Sequence, residues 1–162
     1  MSRRFPLPIT TVLVALSLAA AACSGGGSAQ LSHDDYQKKI LQLGAEFQAK
    51  EQKAFGNLNI QNPGDLAKLG DKFREAADGV DNLADELSSV NPPDDAADAN
   101  AKFVDGFHKA ADALRELAKA ADDKDFQKLR QLGTSLQNSD FAKELTKAGD
   151  ELKAAGYRIP NQ

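Results

Sequence analysis

The chain carries one cysteine, no tryptophan, one methionine and two histidines in 162 residues. Each scarcity closes off a class of chemistry. A lone Cys23 permits no intrachain disulfide and no set of thiolate metal ligands. With Met1 the sole methionine and no Cys-x-x-Cys-His run, neither a His/Met haem site nor covalent haem attachment fits the sequence. A zinc or di-iron bundle wants several inward His and carboxylates, including Glu-x-x-His pairs. Here His33 sits at a helix start and His108 has only Asp105 and Asp112 at helical reach, so no metal and no cofactor is expected. Positive charge is also short: 20 Lys and Arg face 24 Asp and Glu, a formal charge of −4. Without a basic stripe, nucleic acid is not expected as a partner.

Catalytic patterns are missing as well. Ser88, Ser89, Thr134 and Ser135 have no recognisable base, and neither Gly-x-Ser-x-Gly nor a phosphate-cradling loop occurs. No enzyme is expected. Asp71, Asp78 and Asp85 recur every seven residues with Glu75 beside them, and Asp122, Asp123 and Asp125 cluster at a helix junction. Both groups lack the oxygen-ligand spacing and central glycine of a calcium loop, and they read as a solvated outer face and helix-start charges.

What is present begins with an address. Residues 1–22 combine Arg3 and Arg4, an apolar stretch from Ile9 to Leu18 and the small run Ala19 to Ala22, which is the layout of a secretory signal. The apolar stretch is short of the ~20 residues that span a bilayer. Arg3-Arg4-Phe5 with Pro6 and Pro8 reads as an ordinary basic start rather than a twin-arginine signal. Ala20 to Cys23 resembles the lipobox of bacterial lipoproteins, in which the cysteine is acylated and becomes the mature N-terminus. The family usually has Leu three places before that cysteine, where this chain has Ala20. The resemblance implies a lipid on Cys23, a membrane partner through that lipid, and an extracytoplasmic location. Loss of Arg3 and Arg4 would leave eighteen basic and twenty-four acidic residues, a charge of −6. Residues 23–31 follow as the acylated cysteine and a Gly/Ser tether.

From residue 32 to 157 the apolar residues fall at three- and four-residue spacing, which predicts a helical domain before a tail at 158–162. The first helix is expected from about Ser32, its cap, to Phe55, with Tyr36, Ile40, Leu43, Phe47 and Ala54 as its stripe. After a loop at 56–62 and a start at Pro63, the second runs from roughly Gly64 to Val90, where Leu66, Leu69, Phe73, Ala76, Val80, Leu83, Leu87 and Val90 keep a heptad alternation. The third is expected from Asp94 to Asp122, with Asn100, Phe103, Phe107, Ala110, Leu114, Leu117 and Ala121 as its seam and small residues on both flanks. The fourth spans Asp125 to Ala155, led by Phe126, Leu129, Leu132 and Leu136. It shifts phase across Asn138-Ser139-Asp140, which predicts a kink or a break, and Gly156 is placed as its C-cap with Tyr157 folding back.

Matched lengths and short connections favour an all-α, antiparallel up-down four-helix bundle; a three-helix bundle with a docked arm is the alternative. Lipobox, tether, the Asn-Pro-Pro-Asp-Asp junction at 91–95 and Ala-Ala-Gly-Tyr at 154–157 together resemble small lipoproteins of high-GC Gram-positive bacteria. That implies location and fold rather than activity. Gly44, Gly70, Gly79, Gly106, Gly133 and Gly149 inside the helices each cost ~1 kcal/mol against Ala, and close helix approach or a bare-backbone groove would offset them. Two roles follow as expectations: an interaction or scaffold module with an envelope protein partner, or a carrier of a small apolar or amphipathic ligand.

Overall fold

The computed structural model describes residues 29–55 and 68–159, and every regular element among them is a helix. In chain order these are α1 (His33–Phe55), α2 (Leu69–Ser88), α3 (Ala97–Asp122), α4 (Phe126–Gln137) and α5 (Asp140–Ala154). The expected all-α class holds, and the fourth expected segment is two helices. Outside the described residues lie the signal, Cys23 and the tether as far as Ser28. The 56–62 loop, the second helix's start at Pro63 and Gly64, its Leu66, and residues 160–162 lie outside them too.

Local chemistry sets the helix ends. The Ser32 hydroxyl accepts from the Asp35 amide at 3.2 Å, as the expected cap of α1. Helix α3 starts at Ala97, three residues later than the sequence suggests. Residues 94–96 form a turn closed by the Ala96 amide on the Pro93 carbonyl, and the two carboxylates there are drawn elsewhere, Asp94 to Gln30 and Asp95 to Tyr157. The break between α4 and α5 has its own cap: the Ser139 hydroxyl accepts from the Ala142 amide and donates to the Leu136 carbonyl. Helix α5 ends in a Schellman motif, with the Tyr157 amide on Leu152, the Gly156 amide on Lys153, and Gly156 at φ 93°. The same pair of bonds ends α3, from Asp125 to Ala120 and from Lys124 to Ala121, with Lys124 at φ 55° in the glycine position.

Helix α3 is central. Against α2 it runs antiparallel, with Arg74 bonded to Asp122 at one end and the Asn100 amide donating to the Leu87 carbonyl at the other. Helix α5 also opposes it, through Lys102 with Glu151 and Lys109 with Glu144. Helix α1 lies on α2, where Leu43 packs with Leu83 and Leu87 and Lys39 meets Glu86. Because α3 has neighbours on several sides, its small flanks are more buried than its expected seam: Ala111, Ala118 and Ala120 are closed off, while Phe103, Phe107 and Leu114 are half-buried. Two helical glycines mark close approach. A Cβ on Gly106 would stand 2.7 Å from Leu145, and one on Gly70 would collide with Asp122. Gly44, Gly79, Gly133 and Gly149 meet nothing within 4 Å, so close packing does not account for them.

Candidate functional site

Three places bring polar or exposed apolar groups together. The first is the end of the bundle where the described chain enters. Tyr36 is fully buried, donates from its hydroxyl to Asn100 Oδ1 at 3.0 Å, and meets the edge of the Tyr157 ring at 5.5 Å. The Tyr157 hydroxyl donates to Asp95 at 2.8 Å, and His33 stacks on the same ring at 4.0 Å. Burial, then the charge of Tyr157, pushes the Tyr36 hydroxyl far above its usual range; burial and the Asp95 carboxylate push Tyr157 up to about 12. The first and last described residues dock here as well. The Leu31 amide bonds to the Asn91 carbonyl, Gln30 reaches Pro92 and Asp94, and Gln37 holds the Arg158 backbone. Thus Gln30 and Leu31, expected in the tether, and Arg158 and Ile159, expected in the tail, belong to the packed domain. Every buried side-chain polar atom of this junction has a partner, which is the signature of a structural network.

The second place crosses α2 and α3. His108 Nδ1 lies 3.0 Å from Asp81, Arg115 bonds the same carboxylate, and Asp78 and Asp112 flank the guanidinium. Burial alone would raise Asp81, but hydrogen bonds from Arg115 and His108 outweigh it and hold the carboxyl below its ordinary range. The sequence points His108 toward Asp105 and Asp112 on its own helix; its partner instead comes from α2. Sequence reasoning misses Asp81, although Asp78, Asp81 and Asp85 at three- and four-residue spacing share one face. The acidic heptad is exposed, as expected of an outer face, yet it is latched: Asp71 to Arg74, Asp78 to Arg115, and Asp85 at 4.0 Å from His108. The hydroxyls of Ser88, Ser89, Thr134 and Ser135 donate to carbonyls of their own helices. Among the described residues no three His, Cys, Asp or Glu side chains gather as metal ligands, and no helix is long and apolar enough to cross a membrane.

The third place is α4. Asp125 caps it by accepting from the Lys128 amide at 2.9 Å, and its Leu129, Leu132 and Leu136 fall on one side, toward α3. None of its described side chains is fully buried. Phe126, expected in the seam, stands 59% exposed, because α4 begins directly after the Lys124 turn and its first residue lies beyond the cover of α3. Farther along α4 an open groove of about 530 Å³ runs between Ala113 and Glu116 of α3 and Leu132, Leu136 and Phe141. A second groove, about 440 Å³, lies between α1 and the end of α2 beside Leu31, Lys39 and Val90. Cys23, the one residue singled out from the sequence for modification, lies outside the described residues.

Comparison with family models, with curated proteins and with solved structures finds no match to this chain.

Proposed function

We propose that the protein is a lipoprotein held at the outer face of the cell membrane by acyl chains on Cys23, where its helical domain acts by binding alone. The observation that carries the binding role is the α4 surface, which leaves Phe126 exposed at its start and an open, partly apolar groove along its second half, between Leu132 and Leu136 and Ala113 of α3. Open grooves rimmed by polar groups suit a partner surface, whereas a small-ligand carrier needs an enclosed apolar cavity. The close approach of α5 to α3 is filled, since Leu145 occupies the space over Gly106.

The anchor rests on the lipobox resemblance. Gln30 and Leu31 are fastened to the domain, so only the residues from Cys23 to Ala29 separate a lipid from the fold, a reach of at most about 25 Å. Cys23→Ala is expected to move the protein from the membrane to the soluble fraction and leave its helical circular dichroism unchanged. Mass spectrometry of the N-terminal peptide from the native host should find acyl chains on Cys23. Full membrane retention of the variant, or an unmodified cysteine in the native protein, overturns the anchoring.

A further inference from the structure

We infer that α4 is a hinged strap: it lifts from α3 as one unit while the other helices stay packed, and in lifting it uncovers an apolar face of α3. The device belongs to the fold and holds with or without the binding role proposed above.

Every other helix is tied across to a neighbour by charge. Lys39 of α1 meets Glu86 of α2 at 3.7 Å, and Arg74 of α2 bonds Asp122 of α3 at 2.6 Å. Helix α5 is held to α3 by Lys102 with Glu151 at 2.6 Å and by Lys109 with Glu144 at 3.1 Å. Among the described residues no ion pair joins α4 to another helix. Its hydroxyls turn back on the helix itself, Thr134 to the Arg130 carbonyl and Ser135 to that of Leu132. Its caps bond at its own two ends, where Asp125 accepts from the Lys128 amide and the Ser139 hydroxyl donates to the Leu136 carbonyl.

Both neighbours are complete without it. Helix α3 closes on its own Schellman bonds, from Asp125 to Ala120 and from Lys124 to Ala121, and α5 begins on its own cap, with the Ala142 amide donating to the Ser139 hydroxyl. Lys124 at φ 55° and the Asn138-Ser139 break therefore bracket α4 as two hinges, and neither neighbouring helix end is orphaned when it moves.

Apolar contact holds α4 in place. Ala113, Leu117 and Ala120 continue, at helical spacing, the face of α3 on which Gly106 receives Leu145 of α5. Leu129, Leu132 and Leu136 face that continuation half-buried, and the open groove beside Ala113 and Glu116 runs along the seam. Leu117 and Ala120 are buried, so lifting exposes an apolar strip that the closed fold hides. Gly133 stands in mid-helix with nothing within 4 Å, so the helix stability it forfeits is not returned as packing. A 12-residue helix with an internal glycine does not persist in water by itself, and lifting and melting of α4 are one event.

Native-state hydrogen exchange of the full chain, read peptide by peptide by mass spectrometry, tests the strap. The amides of Phe126–Gln137 should exchange at least about 100-fold faster than those of α3 and α5, through an opening whose urea dependence is smaller than that of global unfolding. Gly133→Ala, which meets open space, should slow the α4 exchange about fivefold. Equal rates and equal urea dependence in α3 and α4 would mean that α4 leaves only when the domain unfolds, and would overturn the strap. Exchange of α4 and α5 together ahead of α3 overturns it in favour of a mobile α4–α5 arm. An α4 without protection is not seated on α3, and rates indifferent to Gly133→Ala show opening without melting; either result defeats the proposal.

Discussion

Where the chain enters the domain, Tyr36 and Leu152 are completely shielded and Tyr157 is 3% exposed, with the tyrosine hydroxyls tied to Asn100 and Asp95. At the opposite end Phe126 is 59% exposed, and α4 covers one side of α3 without fully burying any of its own described side chains. The same alphabet of Leu, Ala and Phe builds both ends, so composition does not separate them. Neighbours do. The entry end collects α1, the end of α2, the start of α3, the end of α5 and both chain termini of the described domain, and each covers the others. Among the described residues the far end has the α2–α3 pair with α4 laid against it. Stability should therefore reside at the entry end, and the far end is free to serve as a contact surface.

The largest expected effect tests this directly. Leu152→Ala removes a fully shielded side chain beside Tyr36 and Tyr157 and should cost about 2–5 kcal/mol. Leu132→Ala, on the α3-facing side of α4, where no described side chain is fully buried, should cost less than about 1.5 kcal/mol. Urea unfolding of the two variants measures the difference. Equal losses would mean that the two ends are equally packed.

A second effect separates the ends by pH. The hydroxyl of Tyr157 has its pKa raised from 10.0 to about 12, first by burial and then by the Asp95 carboxylate beside it. A raised acid is more easily ionised in the unfolded chain. Its contribution is therefore complete below pH 10 and is lost as pH rises toward about 12. Tyr36 is shifted in the same direction, so the entry end should loosen in alkali. Stability against urea at pH 8 and at stepwise higher pH should fall steeply above 10 in the wild type and less steeply in Tyr157→Phe. Identical pH profiles would show that the hydroxyl's surroundings in the folded state resemble those in the unfolded chain.

Much of the helical layout is legible in the sequence because it is local. The stripe Tyr36-Leu43, the buried run Ala76, Val80, Leu83 and Leu87, the Ser32 cap, the phase break at Asn138-Ser139 and the Gly156 terminus all depend on residues within a few turns of one another. What escapes is pairing across the chain. Nothing near Asp95 announces Tyr157, 62 residues away, and that bond helps explain why α3 starts at Ala97 rather than Asp94. Periodicity turns Phe126 inward because it reports which face a residue shares and not whether a neighbour reaches it. The glycines divide for the same reason: Gly70 and Gly106 are explained by Asp122 and Leu145 arriving from other helices, and nothing in the structure explains Gly44 or Gly133. The candidate surface is visible in the sequence as the amphipathic start of the fourth segment, but its exposure is not.

The smallest expected effect concerns the two helix ends that share one motif. Both α5 and α3 finish with a residue of positive φ, and the entry end uses Gly156 where the far end uses Lys124. A side chain in the left-handed region costs about 1 kcal/mol, because its Cβ crowds the carbonyl oxygen, and glycine avoids this. Gly156→Ala should therefore destabilise the domain by about 1 kcal/mol, and Lys124→Gly should stabilise it by a similar or smaller amount. The strain at Lys124 is small enough to be tolerated, and in return it places a cation immediately before α4. Lys124→Gly should therefore unfold later in urea than the wild type, and Gly156→Ala earlier. Lower stability would mean that the backbone there does not hold the conformation seen at Gly156.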